Sequence, residues 1–138
     1  MKKKLALILL VDDFEGANFL HKKVIASTEC AENVHTVINA AEALEFLKTP
    51  VKDSYPHPEI IFLDLNMPAM SGWDFLDEYK KLDREQRWGT LIVILTTSHN
   101  PDDEARARKR HPQTVFMHKP LLRQPLLDIL KEYFSDNF

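Results

Sequence analysis

Three aspartates stand where apolar runs end: Asp12 and Asp13 follow Leu5–Val11, and Asp64 follows Ile60–Leu63, about 50 positions further along. A short run of Leu, Ile and Val reads as an interior strand. The strands of an open α/β sheet present their carboxyl ends to the edge where ligands bind. Carboxylates gathered at one edge repel each other and are driven towards protonation unless a cation joins them. A divalent ion is the simplest remedy. Mg²⁺ takes oxygen ligands in octahedral geometry and keeps several waters, which two or three carboxylates and a carbonyl suit. Mn²⁺ accepts the same oxygen set. A single aspartate in such a place is as readily a turn or helix cap; three at one edge point to a metal.

Two more residues end strands at the same edge. Thr96 follows the run 91–95, and Lys119 follows the run 115–117 by one residue. Taken singly, the first reads as an ordinary strand residue and the second as a solvated charge. A hydroxyl and an ammonium beside a carboxylate–metal cluster are what a transferred phosphoryl group requires, because its catalysis is mostly positioning and electrostatic stabilisation.

These residues need a frame that brings distant strand ends together. Apolar runs of strand length recur at Leu5–Val11, 34–38, Ile60–Leu63, 91–95 and 115–117, separated by amphipathic segments at about 15–29, 40–48, 72–82, 102–110 and 123–134. Alternation of this kind predicts βαβ units and a parallel sheet covered on both faces, with right-handed crossovers. Asn100 is an N-cap, Pro101 a first-turn proline, and Asp102, Asp103 and Glu104 follow at the positive end of the same helix. That helix is expected to finish on three cations, Lys109, Arg110 and His111, before Pro112 stops it. In the last helix Leu126, Leu127, Leu130 and Phe134 fall on one face and should pack on the sheet. The stretch 49–59, with Pro50, Pro56 and Pro58, reads as an irregular surface loop.

With 138 residues the chain suits one domain with its own core. Its net charge of −3 excludes the basic footprint of a nucleic-acid binder. A lone cysteine, Cys30, cannot form an internal disulfide, fits a reducing compartment and reads as a small apolar residue near a helix end. Lys2-Lys3-Lys4 before Leu5–Val11 mimics a signal peptide, yet the apolar stretch is only seven residues and two aspartates follow it. It is also too short to span a bilayer. A cytoplasmic protein is expected.

Val11-Asp12-Asp13, then Asp64-Leu65-Asn66-Met67-Pro68 with Gly72 eight residues after Asp64, then Thr96, then Lys119-Pro120, resemble the receiver domain of bacterial two-component response regulators. The likeness covers residue 5 to about 134, and its motifs come in order and at the family's spacing. It implies a flavodoxin-like, five-stranded parallel sheet in the order 2-1-3-4-5 with helices on both faces. It also implies a stand-alone, chemotaxis-regulator-like receiver over 1–138 with no output domain. Asp64 would be the phosphoacceptor, attacking a phosphohistidine on a sensor histidine kinase or phosphotransfer protein. Asp13 and Asp64 would hold Mg²⁺ directly, Asp12 largely through water, and the backbone carbonyl of Asn66 would add an oxygen. Lys119 and Thr96 would each take a phosphoryl oxygen. Pro68 and Gly72 would shape the loop into the next helix, and the Lys119-Pro120 bond is often cis in such domains.

Phe116 stands three residues before the lysine, where many family members carry tyrosine, so a packing switch is expected there without a hydroxyl hydrogen bond. Thr97, Asn66 and Ser98 are placed to tune the lifetime of the phosphoryl group. The expected role is a signalling relay that reads out through a downstream protein, in a monomer or weak homodimer, with Arg106, Lys109 and Arg110 on a candidate partner face. An aspartyl-phosphate phosphatase is the poorer reading, because Asn66 stands where its second acid would be. A pseudo-receiver that never accepts phosphate is the other alternative.

Overall fold

Seven consecutive residues make β1 (Leu5–Val11), and their side chains alternate between two cores: Ile8 and Leu10 on one face, Leu9 and Val11 on the other. The same alternation holds in β3 (Ile60–Leu63) and β4 (Leu91–Thr96), which is why these runs show no polar positions in sequence. The computed structural model describes residues 4–87 and 89–135; Lys2 and Lys3 of the basic N-terminal segment lie outside the described residues. With β2 (Ala31–Val37) and β5 (Val115–His118), the strands form one parallel sheet in the order β2-β1-β3-β4-β5.

Helices cover both faces. On one side α1 (Glu15–Thr28) and α6 (Arg123–Tyr133) bring Ile25, Leu126, Ile129 and Leu130 onto Ile8, Leu10, Phe62 and Val93. On the other, α2 (Ala40–Lys48), α3 (Gly72–Tyr79) and α5 (Pro101–Arg110) face Leu9, Ile61 and Ile94 through Leu44, Phe75 and Ala107, among others. Leu127 and Phe134 pack at the margin of their core, so the expected apolar face of the last helix is present, with Ile129 added to it. Each fully buried Leu, Ile or Phe contributes about 1.5–3 kcal/mol.

Several boundaries differ from the sequence expectation. β2 begins at Ala31 and ends at Val37, leaving Ile38 exposed; it is an edge strand, so polar residues such as Glu32 and His35 are tolerated in it and mask its start. The helix expected over 72–82 stops at Tyr79 as α3, and beyond that segment comes a four-residue turn of helix, α4 (Arg84–Arg87), too short to give a periodic signal. His111 does not add a third cation at the end of α5. It is buried, and that burial, assisted by Lys80, Arg106 and Arg110 and opposed by Asp77, pushes its pKa below the ordinary histidine value. Cys30 is buried between α1 and β2, with its thiol pKa pushed up chiefly by burial.

α5 is thinly anchored, with Ala107 its single buried residue. It depends on its termini and on Arg106, whose guanidinium lies 4.4 Å from the Trp73 ring centroid. Asn100 Oδ1 accepts from the Asp102 N–H at 3.0 Å, and Pro101 opens the first turn. Asn100→Ala should therefore cost about 1 kcal/mol, read as faster hydrogen exchange in α5 with little change elsewhere.

Candidate functional site

The register of the parallel ladder aligns the strand ends. Val11 pairs with Leu63, Leu63 with Ile94, and Thr96 with His118, so the residues that follow emerge at one edge. Asp12 and Asp64 are buried there, and Asp13 is exposed beside them. A carboxylate oxygen from each of the three lies within 4.8 Å of the others. Ligand oxygens on an octahedral Mg²⁺ stand about 3.0 Å apart when adjacent and about 4.2 Å when opposite, so the trio is gathered around a space that a hard divalent ion would draw closer.

Lys119 reaches into the cluster from the end of β5. Its Nζ donates to Asp12 Oδ2 at 2.5 Å and stands 3.5 Å from Asp64 Oδ1. Its backbone N–H donates to the Thr96 carbonyl at 2.8 Å, and its bond to Pro120 is cis, as the resemblance led one to expect. The other oxygen of Asp12 accepts from the Phe14 N–H at 3.0 Å. Burial drives the Asp64 carboxyl up to about 6; Asp12 adds to the rise, while Lys119 and the Asn66 N–H oppose it. One ammonium is thus shared by two buried carboxylates, with Asp64 the less satisfied of the two.

Thr96 is fully buried, and its Oγ1 accepts from the Ser98 N–H at 3.1 Å. Ser98 Oγ in turn donates to Asp103 Oδ2 at 2.5 Å, tying the loop after β4 to the first turn of α5. Phe116 lies apart from the carboxylates, partly buried against the core under α2, α3 and α5 and edge-on to His118 at 5.7 Å. Asn66 is exposed, and what it contributes to Asp64 is its N–H.

Gly72 explains how the chain turns away from Asp64. A Cβ at this position would sit 2.5 Å from the Asp64 carbonyl oxygen and 2.8 Å from Leu65 Cα, and the Gly72 N–H donates to the Leu65 carbonyl at 2.9 Å. Helix α3 therefore begins in direct contact with the backbone of Asp64 and Leu65. Gly72→Ala should displace that backbone, costing about 1–3 kcal/mol in urea unfolding and slowing any reaction at Asp64.

Two residues of the site escaped the sequence reading. Asn18 is buried and its Nδ2 donates to the carbonyls of Asp12 and Val37, at 3.0 and 3.3 Å, locking the loop after β1. His21 is buried one turn further on and lines the same narrow crevice as Asp12 and Asp64; burial lowers its pKa, so it stays neutral there. Their signal was the inward stripe of α1, which runs Asn18, His21, Ile25: polar residues at core spacing.

Comparison with known proteins agrees with this arrangement. Residues 8–131 match the family model of the response regulator receiver domain. The response regulator Rcp1 of Synechocystis sp. is 31% identical over 106 residues, covering 76% of this chain and 71% of that protein. A two-component response regulator from Cytophaga hutchinsonii superposes with a TM-score of 0.82 at 25% identity, over 96% of this chain and 99% of that one. The phosphorylated cyanobacterial phytochrome response regulator RcpA gives 0.77 at 27% identity, over 97% of each chain. By sheet order, by the acidic strand ends and by this match over most of its length, the chain belongs to the response regulator receiver domain family.

Proposed function

We propose that Asp64 accepts a phosphoryl group from a sensor histidine kinase or phosphotransfer protein in a Mg²⁺-dependent reaction, and that the resulting charge resets a surface read by a downstream protein. The observation that carries this reading is the buried Asp64 beside Asp12 and Asp13, with the Lys119 ammonium 3.5 Å away. A carboxylate oxygen of Asp64 attacks phosphorus as the bond to the donor imidazole nitrogen breaks, and the imidazole leaves to be protonated by solvent. Asp13, Asp64 and the Asn66 carbonyl would hold Mg²⁺, with Asp12 acting largely through water, and the ion would supply charge neutralisation for the phosphoryl oxygens. Lys119 turns from Asp12 to one of those oxygens.

Thr96 is the coupling residue. To reach a phosphoryl oxygen its hydroxyl gives up the Ser98 N–H, and Ser98 is the link to Asp103 in α5. A helix with one buried residue moves at low cost, and Phe116 repacks into the space that Thr96 leaves. Phe14 and Leu122, 67% and 55% exposed, rim the same edge and give a kinase an apolar seat around Asp64. No helix among the described residues is long and apolar enough to cross a membrane.

Incubation with Mg²⁺ and acetyl phosphate tests the reading. A mass gain of one phosphoryl group, mapped to Asp64 and abolished by chelation, is the expected result. No gain with any small donor or kinase would leave a folded adaptor in its place.

A further inference from the structure

A second site lies at the opposite edge of the sheet, roughly 15–20 Å from Asp64 by the length of β4. A cavity of about 360 Å³ opens there between the ends of α3 and α5 and the start of β4, a size within the range of small-molecule pockets. Its lining holds Lys80, Arg87, Arg110 and His111 and no carboxylate, in a chain whose net charge is −3. From these groups we infer that the cavity binds a small organic phosphate, its dianionic head among the four basic side chains and its apolar body on Leu76 and Ile92.

Capping of helix carbonyls accounts for part of this cationic cluster. Lys80 Nζ donates to the Arg110 carbonyl at 2.7 Å, and Arg87 Nε donates to the Leu82 carbonyl at 2.9 Å. Those bonds use one donor each, leaving two N–H on Lys80 and four on Arg87. Neighbouring cations on the same elements are treated differently: Lys81 pairs with Glu78 at 3.0 Å, and Arg108 pairs with Glu104. Among the described residues, Lys80, Arg87 and Arg110 have no carboxylate within ion-pair distance.

His111 adds a buried ring to the wall of the cavity. Its side chain is 3% exposed and its Nδ1 has no hydrogen-bond partner among the described residues. Buried polar atoms are rarely left so. The nearest acid, Asp77 Oδ1, is 3.9 Å from the other ring nitrogen and lies outside the cavity lining. Burial and the cations Lys80, Arg106 and Arg110 lower the pKa of the ring, against Asp77; an anion in the cavity would relieve part of that repulsion. The planar guanidinium fork of Arg87 matches a phosphate head in a bidentate manner. The site is separate from the acidic edge and does not rest on Asp64 chemistry.

Phenyl phosphate, titrated into the full ¹⁵N-labelled chain with chelator present and no Mg²⁺, tests the site by NMR. Saturable shifts are expected at the amides of Lys80, Thr90, Gln113 and Thr114. Phenyl phosphate should bind at least about tenfold more tightly than inorganic phosphate or benzyl alcohol, since only it engages both halves of the cavity. Arg87→Gln and Arg110→Gln should each weaken it by about tenfold; Arg110 makes no side-chain bond among the described residues, so its loss should leave the fold intact. The His111 ring should titrate at higher pH in the bound form. Non-saturating shifts, shifts confined to the Asp64 edge, or equal affinity in the Arg110→Gln variant would overturn the proposal.

Discussion

Asp64→Asn should take up no phosphoryl group from acetyl phosphate or from a histidine kinase, while its fold persists. The amide keeps the shape of the side chain and removes the anionic lone pair that attacks phosphorus. Neither remaining acid is placed to substitute. Asp12 has one oxygen held by Lys119 at 2.5 Å and the other by the Phe14 N–H at 3.0 Å. Asp13 is exposed, with its charge solvated. In the parent, the pKa of about 6 leaves Asp64 roughly nine-tenths ionised at pH 7. Attack should therefore fade in acid, with bound Mg²⁺ placing that limb below the metal-free value. Intact mass after incubation reads both. An undiminished gain in Asp64→Asn would put the nucleophile elsewhere.

Removal of Lys119 should destabilise the protein most among single changes at this edge. Lys119→Met leaves two buried carboxylates without their shared ammonium, and breaking such a pair typically costs about 3–5 kcal/mol. The cost depends on pH, and its sign follows from Asp64. Its carboxyl titrates in the folded state at about 6, above the ordinary carboxylate value of 3.8. The folded state thus holds that proton more tightly than the unfolded state. Stability from this group is complete below about pH 4 and is lost as pH rises through about 6. Lys119 opposes that rise, so without it the folded pKa climbs further and the loss deepens and extends to higher pH.

The melting temperatures of parent and Lys119→Met should accordingly lie close together in mild acid and separate as the solution becomes alkaline. Adding Asp64→Asn to the variant should restore part of the difference, because it removes one of the two stranded charges. Mg²⁺ should raise the stability of the parent by mass action, by about 2.7 kcal/mol at a hundredfold excess over its dissociation constant. A gap between parent and Lys119→Met that does not change with pH would mean that packing of the lysine stem, not charge, is what matters.

Much of this was legible before any coordinates. The interior strands β1, β3 and β4 are buried on both faces, so their apolar runs carry almost no competing polar signal. Their acidic and hydroxyl termini then mark the functional edge, and the acidic trio and Lys119 do meet there. The edge strand β2 was half hidden because one neighbour suffices for it and its outer positions need no apolar residue. The stop of α3 at Tyr79 and the turn α4 beyond it left no trace either, since four residues are too few for a helical period to show.

By itself the sequence determined which residues could do chemistry and in what order the strands and helices follow, because both are written in local composition and period. The tertiary structure alone decided how charge is shared among them: that Lys119 is bound to Asp12 before it can serve Asp64, and that Thr96 is held by Ser98. It also decided that burial lowers the His111 pKa, and that Lys80, Arg87 and Arg110 face one cavity without an acid. Burial and distances between residues far apart in the chain set those energies, and neither quantity exists until the sheet has closed its faces.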